Sequence, residues 1–293
     1  MSSKTHSKAL VSTQWVAEHL DDPQVRLIEV VWGTSPSFGM PAYENGHIPG
    51  AVAWDFEKDL QDPDRRDILD KAGLEALLSR SGITPETAVI IYSGLSNILA
   101  TYTFWQLKIY GHQPVRLLDG DRQKWLDEGR QITCEVPILL PATYHTQEPD
   151  WSLRANREEV LQSIGKTDRV LVDARSAEMF SGLDKARAAR GGHIPGAINL
   201  TARRETNPDG SFKAWRVPTV QADGTFKPAN ELQGLFDDLG ITREKEIITY
   251  CVGGGLSTHA WFVLTQLLGY PHVREYDRSW AEWGNLADAP IER

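Results

Sequence analysis

The chain repeats itself, and a sequence that contains the same unit twice is built to fold the same way twice. Gly46-His47-Ile48-Pro49-Gly50-Ala51 returns as Gly192-His193-Ile194-Pro195-Gly196-Ala197. A second set of matches keeps a constant spacing of 158 residues: Gly82-Ile83 with Gly240-Ile241, Tyr92 with Tyr250, Gly111 with Gly269, Val115 with Val273, Asp119 with Asp277 and Trp125 with Trp283. The first element repeats at 146 residues, so the second half carries about a dozen more residues between the two sets of matches. At 293 residues there is room for two domains of ordinary size, each able to bury its own core.

Within each half, short apolar runs alternate with amphipathic stretches, which predicts an α/β fold with a parallel sheet flanked by helices. In the first half, strands are expected at Val25–Val31, Ala88–Tyr92 and Val115–Leu118. A helix end is expected from Gly73 to Ser81 and a helix over Ile98–Tyr110. The second half repeats the order, with strands at Val170–Asp173, Glu246–Tyr250 and Val273–Tyr276 and helices at Asn230–Gly240 and Thr258–Leu268. The expected division is a first domain over 9–130, a linker over 131–156 and a second domain over 157–288. The linker carries Pro137, Pro141 and Pro149, and its Ile138-Leu139-Leu140 is apolar enough to predict that it drapes over a domain surface.

Composition narrows the function classes. Hydrophobic content of 41% and charged content of 24% are those of a soluble globular protein. The net charge is -9 and no basic run is present, which argues against nucleic acid as a partner. Two cysteines, Cys134 and Cys251, rule out a disulfide framework and suit a reducing compartment. The polar opening Met1–Lys8 has no apolar leader, and no stretch is long and apolar enough to span a membrane. A soluble, cytoplasmic protein is expected.

Chemistry concentrates in Ile247-Ile248-Thr249-Tyr250-Cys251-Val252-Gly253-Gly254-Gly255-Leu256-Ser257-Thr258. This reads as a buried strand, a cysteine, a glycine loop and a helix start, with Ser257 or Thr258 as the expected N-cap. A sulfur at that turn is ringed by backbone N–H groups and faces the positive end of a helix dipole, and both favour a nucleophilic thiolate. Three successive glycines carry an entropic cost that folding alone rarely justifies, which sets Cys251 apart from an ordinary buried cysteine. In the first half the repeat puts Ser93 at this position, with no evident base and without the Gly-x-Ser-x-Gly of a hydrolase elbow. The first copy is therefore expected to be catalytically inactive. His47 and His193 occur in both copies, which favours a turn and packing role over general-base catalysis. Trp280 and Trp283 are read as packing residues, and Cys134, in the linker, as an incidental thiol.

Two copies with Gly-His-Ile-Pro-Gly-Ala, a cysteine loop only in the second, and Tyr276-Asp277-Arg278-Ser279-Trp280-Ala281-Glu282-Trp283-Gly284 near the end resemble the tandem-domain rhodanese-type sulfurtransferases. The likeness runs from about Val11 to Gly284 and includes Leu117-Leu118-Asp119-Gly120-Asp121-Arg122-Gln123-Lys124-Trp125 of the first half. It implies two rhodanese-like domains and a ping-pong reaction. A Cys251 thiolate would take a sulfane sulfur from thiosulfate or 3-mercaptopyruvate and pass it, as a persulfide, to cyanide or a thiol. It also implies that Val252, Gly253, Gly254, Gly255, Leu256 and Ser257 form the substrate-binding loop, with no metal or organic cofactor. The partners are then a small-molecule sulfur donor and a thiophilic acceptor. Leu256 stands where the family usually has Arg or Thr, so a dianionic donor needs cations from elsewhere. Arg187, Arg190, Arg203 and Arg204 flank the second His-Ile-Pro-Gly element, and Arg187 and Arg190 are the preferred pair. Cysteine-dependent phosphatases are a weaker match, because their loops carry arginine six positions after the cysteine, where this chain has Ser257. The sequence is also compatible with a non-catalytic binding scaffold and with a persulfide enzyme that uses a specialised donor or acceptor.

Overall fold

The computed structural model describes residues 8–33, 43–62 and 67–293; the polar opening of the chain, Lys8 apart, lies outside them. The chain divides into two compact units. The first is Met1–Asp150 with Thr206–Ala214 and Gln221–Phe226, and the second is Trp151–Glu205, Trp215–Val220 and Lys227–Arg293.

The first unit contains β1 (Leu10–Val11), α1 (Thr13–Glu18), β2 (Val25–Val31), β3 (Val52–Asp55), α2 (Lys71–Arg80), β4 (Ala88–Ser93), α3 (Ile98–Ile109), β5 (Val115–Leu118) and α4 (Asp121–Asp127). Its five strands form one parallel sheet in the order β1-β5-β4-β2-β3. Ala-Val-Ile-Ile-Tyr-Ser of β4 is a near-continuous apolar run, as a central parallel strand covered on both faces must be. Helix α3, apolar nearly all round, is buried from Ile98 to Leu107.

The second unit contains α5 (Arg157–Ser163), β6 (Arg169–Asp173), α6 (Ala177–Phe180), β7 (Ile198–Asn199), α7 (Ala229–Asp238), β10 (Glu246–Tyr250), α8 (Gly255–Phe262), β11 (Val273–Glu275) and α9 (Ser279–Trp283). Its sheet is parallel in the order β11-β10-β6-β7. Between β7 and α7 the chain forms a two-stranded ribbon, β8 (Arg203–Thr206) with β9 (Phe212–Arg216). The fold class is thus the α/β arrangement expected from the sequence, with β1, β3, β7 and the ribbon added. Those strands are too short or too polar to show a period.

The expected helix over Thr258–Leu268 begins three residues earlier, at Gly255, and closes in a π-helical turn over Val263–Leu267. The segment after Gly129 runs without regular structure, and to Asp150 it belongs to the first unit. Backbone bonds hold it there: His47 and Thr133 exchange N–H···O bonds of 2.8 and 2.9 Å, and Asp150 N–H donates to Ile109 O at 2.8 Å. The segment drapes over the first unit as expected, but of the apolar triplet Leu139 is half-buried while Ile138 and Leu140 are 97% and 86% exposed. The backbone supplies part of the anchoring, because such a chain must pair its polar groups somewhere, and the buried Tyr144 and Thr146, bonded to His112 and Glu75, supply the rest.

Candidate active site

Parallel strands deliver their C-terminal ends to one edge of the sheet, and Cys251 follows the last residue of the central strand β10. Its backbone is fastened from the far side: Cys251 N–H donates to Ser279 Oγ at 2.9 Å, and Cys251 O receives Trp280 N–H at 3.0 Å. Val252 O receives Ala281 N–H at 2.9 Å, so the start of α9 buttresses the loop. The side chain is 2% exposed, and Sγ accepts the N–H of Gly254 at 3.2 Å. Gly254 has φ +94°, a conformation that an L side chain resists, so this glycine is demanded by geometry. It is also the N-cap of α8. Gly255, Leu256 and Ser257 form that helix's first turn, where N–H groups have no intrahelical acceptor and the dipole is positive.

The expected capping by Ser257 or Thr258 is corrected. Both lie inside α8, where Ser257 Oγ bonds back to Gly254 O at 3.2 Å and Thr258 Oγ1 to Gly255 O at 3.0 Å. Leu256 is buried, and no residue from Val252 to Ser257 carries a charge.

Two ionisable residues that sequence reasoning passed over lie beneath this loop. Arg175, fully buried, forks onto Asp173 (Nη2···Oδ2 2.6 Å), donates to Gly192 O at 2.7 Å and lies 4.2 Å from the Trp280 ring centre. Glu275 is also fully buried, and its carboxyl meets Ser257 Oγ on one oxygen and Thr249 Oγ1 on the other. Burial pushes the Glu275 carboxyl well above the usual carboxylate range and the nearby Cys251 sulfur pushes the same way, against the pull of its two hydroxyl partners. Glu275 had a sequence signal: in the repeat its strand position is Leu117.

Of the expected cations, Arg187 is exposed, at φ +66°, with no hydrogen-bond or ion-pair partner among the described residues. Arg190 has a different task from the one expected. Its guanidinium is spent on backbone carbonyls of the C-terminal segment: Leu286 O, Ala289 O at 2.9 Å, Ala287 O at 3.3 Å and Trp283 O at 3.4 Å. Arg203 and Arg204 line a cavity of about 700 Å³ with Ser176, Met179 and Trp215. His47 and His193 stack on Tyr43 and Phe180, each with ring centres 3.6 Å apart, and their Nδ1 atoms meet the carbonyls of those same residues. Trp280 and Trp283 are buried in the core of the second unit, and Cys134 is exposed. Ser93, at the position matching Cys251, is wholly buried and spends its hydroxyl on Gly94 O at 2.9 Å. No cluster suited to a metal ion and no helix long and apolar enough to cross a membrane occurs among the described residues.

The model of the rhodanese-like domain matches this chain twice, over residues 12–128 and 156–286. The chain belongs to the rhodanese-like family. Curated relatives align along nearly their whole length with this rhodanese-like chain. A sulfur carrier protein, TtuD, of Thermus thermophilus is 43% identical over 98% of both chains. A protein of Haloferax volcanii provisionally named thiosulfate sulfurtransferase is 42% identical over 100% of this chain and 99% of its own. One of the same provisional name from Mycolicibacterium smegmatis is 43% identical over 98% of both. Among solved structures, the anaerobic ergothioneine biosynthesis enzyme of Chlorobium limicola, in complex with trimethyl histidine, superposes with a TM-score of 0.82 at 24% identity. That match covers 97% of this chain and 70% of the other, and at such identity it bears on the rhodanese-like fold alone.

Proposed function

We propose that the protein is a sulfurtransferase in which the Cys251 thiolate carries sulfur as a persulfide. The observation that carries this reading is the sulfur itself, buried at the end of β10 and accepting the Gly254 N–H at the N-terminus of α8. With thiosulfate as donor, the thiolate attacks the outer sulfur, the S–S bond to the sulfonate sulfur breaks, and sulfite leaves with the bonding pair. With 3-mercaptopyruvate, the C–S bond breaks and the thiol proton ends on the carbon of pyruvate. Either way one anion on Sγ becomes one anion on the outer sulfur of the persulfide, which the same amides and helix terminus stabilise. A thiophilic acceptor such as cyanide or a thiol then takes that sulfur and returns the thiolate. In this reading Val252 to Ser257 form the substrate loop, Arg187 supplies an accessible cation for an anionic donor, and the first domain, with Ser93 at the matching position, takes no part in the chemistry. The relatives named as thiosulfate sulfurtransferases support it.

A second reading has two specific supports. The loop from Val252 to Ser257 is uncharged, and a relative of 43% identity is named as a sulfur carrier. The acceptor would then be a dedicated partner rather than a free small molecule. Steady-state sulfur transfer to cyanide, with thiosulfate and 3-mercaptopyruvate as donors, tests the first reading. Cys251→Ser is expected to abolish thiocyanate release and Cys134→Ser to leave it unchanged. Persistent release from Cys251→Ser would overturn the assignment, and persulfide formation without release to cyanide would favour the second reading.

A further inference from the structure

The buried polar cluster under the Cys251 loop is present in one copy of the repeat and absent from the other. Thr249 pairs across the sheet with Glu275, and the matching pair in the first unit is Ile91 with Leu117. Ser257 on α8 matches Leu99 on α3, at the same spacing. Thr249, Ser257 and Glu275 are each 0% exposed, and Ile91, Leu99 and Leu117 are equally buried, at 0 to 1%. The fold is therefore satisfied by three aliphatic side chains at these positions. A buried hydroxyl–carboxyl–hydroxyl set in their place costs desolvation, and it occurs only beside the cysteine.

Counting hydrogens shows what the set does. Ser257 Oγ touches two acceptors, Gly254 O at 3.2 Å and a Glu275 oxygen, and has one hydrogen to give. If Glu275 were a carboxylate, it would draw that hydrogen and Gly254 O would lose it. If Glu275 is the acid with its hydrogen on the Ser257 side, its O–H goes to Ser257, Ser257 donates to Gly254 O, and Thr249, which also lies 3.4 Å from Arg274 O, donates to the other carboxyl oxygen. Gly254 is then gripped on both sides, its carbonyl by Ser257 and its N–H on Cys251 Sγ.

We propose that Glu275, held as the neutral acid, is the positioning residue of the Cys251 loop: through Ser257 it fixes Gly254, and by staying uncharged it keeps a second anion from beneath the sulfur. This rests on the reading of Cys251 as the nucleophile. The charged and titratable groups that face Glu275 agree with a neutral state. They include Cys251 from the end of β10 and Asp277 from beyond β11, and Asp277 takes up Arg154 at 2.7 Å, so that cation is not left over to balance a Glu275 carboxylate. The upward push of burial on its carboxyl points the same way.

The test uses the full chain carrying Cys134→Ser, so that one thiol remains. Ionisation of Cys251 is followed by ultraviolet thiolate absorbance against pH, and sulfur transfer is followed by kcat and KM. Glu275→Gln, a neutral isostere that can donate to Ser257 and accept from Thr249, is expected to leave the thiolate midpoint in place and to keep most of kcat. Glu275→Leu is expected to lower kcat by about tenfold or more with KM held, the loss of a buried hydrogen bond. Because Glu275→Leu leaves two hydroxyls stranded and can fail to fold, the triple variant Thr249→Ile, Ser257→Leu, Glu275→Leu installs the first unit's aliphatic set; it is expected to fold and to show the same drop in kcat. A thiolate midpoint that falls by a full pH unit or more in Glu275→Gln would mean that Glu275 is an anion and would overturn the proposal. Wild-type kcat in the triple variant or in Glu275→Leu would also overturn it. Failure of the underlying reading looks different, since sulfur transfer would then survive Cys251→Ser whatever stands at position 275.

Discussion

At the residue scale, the two arginines before the second His-Ile-Pro-Gly turn separate into a surface charge and a structural clamp. Arg187→Ala is expected to raise the KM for thiosulfate by about threefold, an effect that shrinks with added salt, because an exposed cation contributes little and is screened. Arg190→Ala is expected to leave KM alone and to cost about 1–3 kcal/mol of stability, because it frees carbonyls at Trp283, Leu286, Ala287 and Ala289; urea unfolding checks it. Glu275 carries a stability signature of its own. Its folded-state carboxyl is raised above the unfolded range, so in the pH window above the ordinary carboxylate value the native state holds a proton that the unfolded chain releases. Stability from this group therefore falls as pH rises. Glu275→Gln removes the titration, and its melting temperature is expected to gain on the wild type as pH rises above the ordinary carboxylate range; a difference that does not change with pH contradicts the neutral-acid assignment.

At the element scale, the strand-loop-helix of β10 and α8 was legible because its signals are local: a β-branched run, a cysteine, glycines and a helical period. Where the helix starts was not. Ser257 and Thr258 are good caps by propensity, but Gly254 in a left-handed conformation opens the helix three residues earlier and turns both hydroxyls back onto the first-turn carbonyls. Gly254→Ala is expected to cost about 1–2 kcal/mol in denaturant unfolding and to misalign the N–H on Sγ, lowering sulfur transfer, whereas Gly253→Ala, whose added carbon meets open space, is expected to be milder in both. The matching loop in the first unit takes another route. Leu95, Ser96 and Asn97 all sit at φ of 58° to 61°, held by Asn97 and by Asp121, and no thiol or glycine run is present. Buried charge was the least legible feature. Asp173 and Arg175, two residues apart at a strand end, carry no local signal of burial, and only three-dimensional packing under Trp280 buries them. The apolar Ile138 and Leu140 misled in the opposite direction: they are exposed, and backbone hydrogen bonds together with the buried Tyr144 and Thr146 hold that segment.

At the scale of the whole molecule, the duplication preserves one device by different means. Each unit ties its Gly-His-Ile-Pro-Gly turn to the sheet with a buried acid, a tyrosine hydroxyl and an arginine. In the first, Tyr92 OH receives Ile48 N–H and donates to Glu29, and Arg122 bridges Glu29 to Gly46 O. In the second, Tyr250 OH receives Ile194 N–H and Arg175 bridges Asp173 to Gly192 O. The arginine comes from α4 in one copy and from just after β6 in the other. Trp280, at the repeat position of Arg122, stacks on Arg175 instead. Removing either arginine strands a buried carboxylate, so Arg122→Leu and Arg175→Leu are each expected to cost about 3–5 kcal/mol in urea unfolding, and a loss near zero would mean that the pair is dispensable. The copies share this scaffold and differ in what it holds: an aliphatic core under Ser93, a hydroxyl–carboxyl set under Cys251. The measurement that bears most directly on the claim that the second copy carries sulfur is intact mass after brief exposure to thiosulfate or 3-mercaptopyruvate, beside Cys251→Ser. A gain of one sulfur atom is expected in the wild type and is expected to disappear in the variant; a gain that persists in Cys251→Ser, or none from either donor, would contradict sulfur transfer through Cys251.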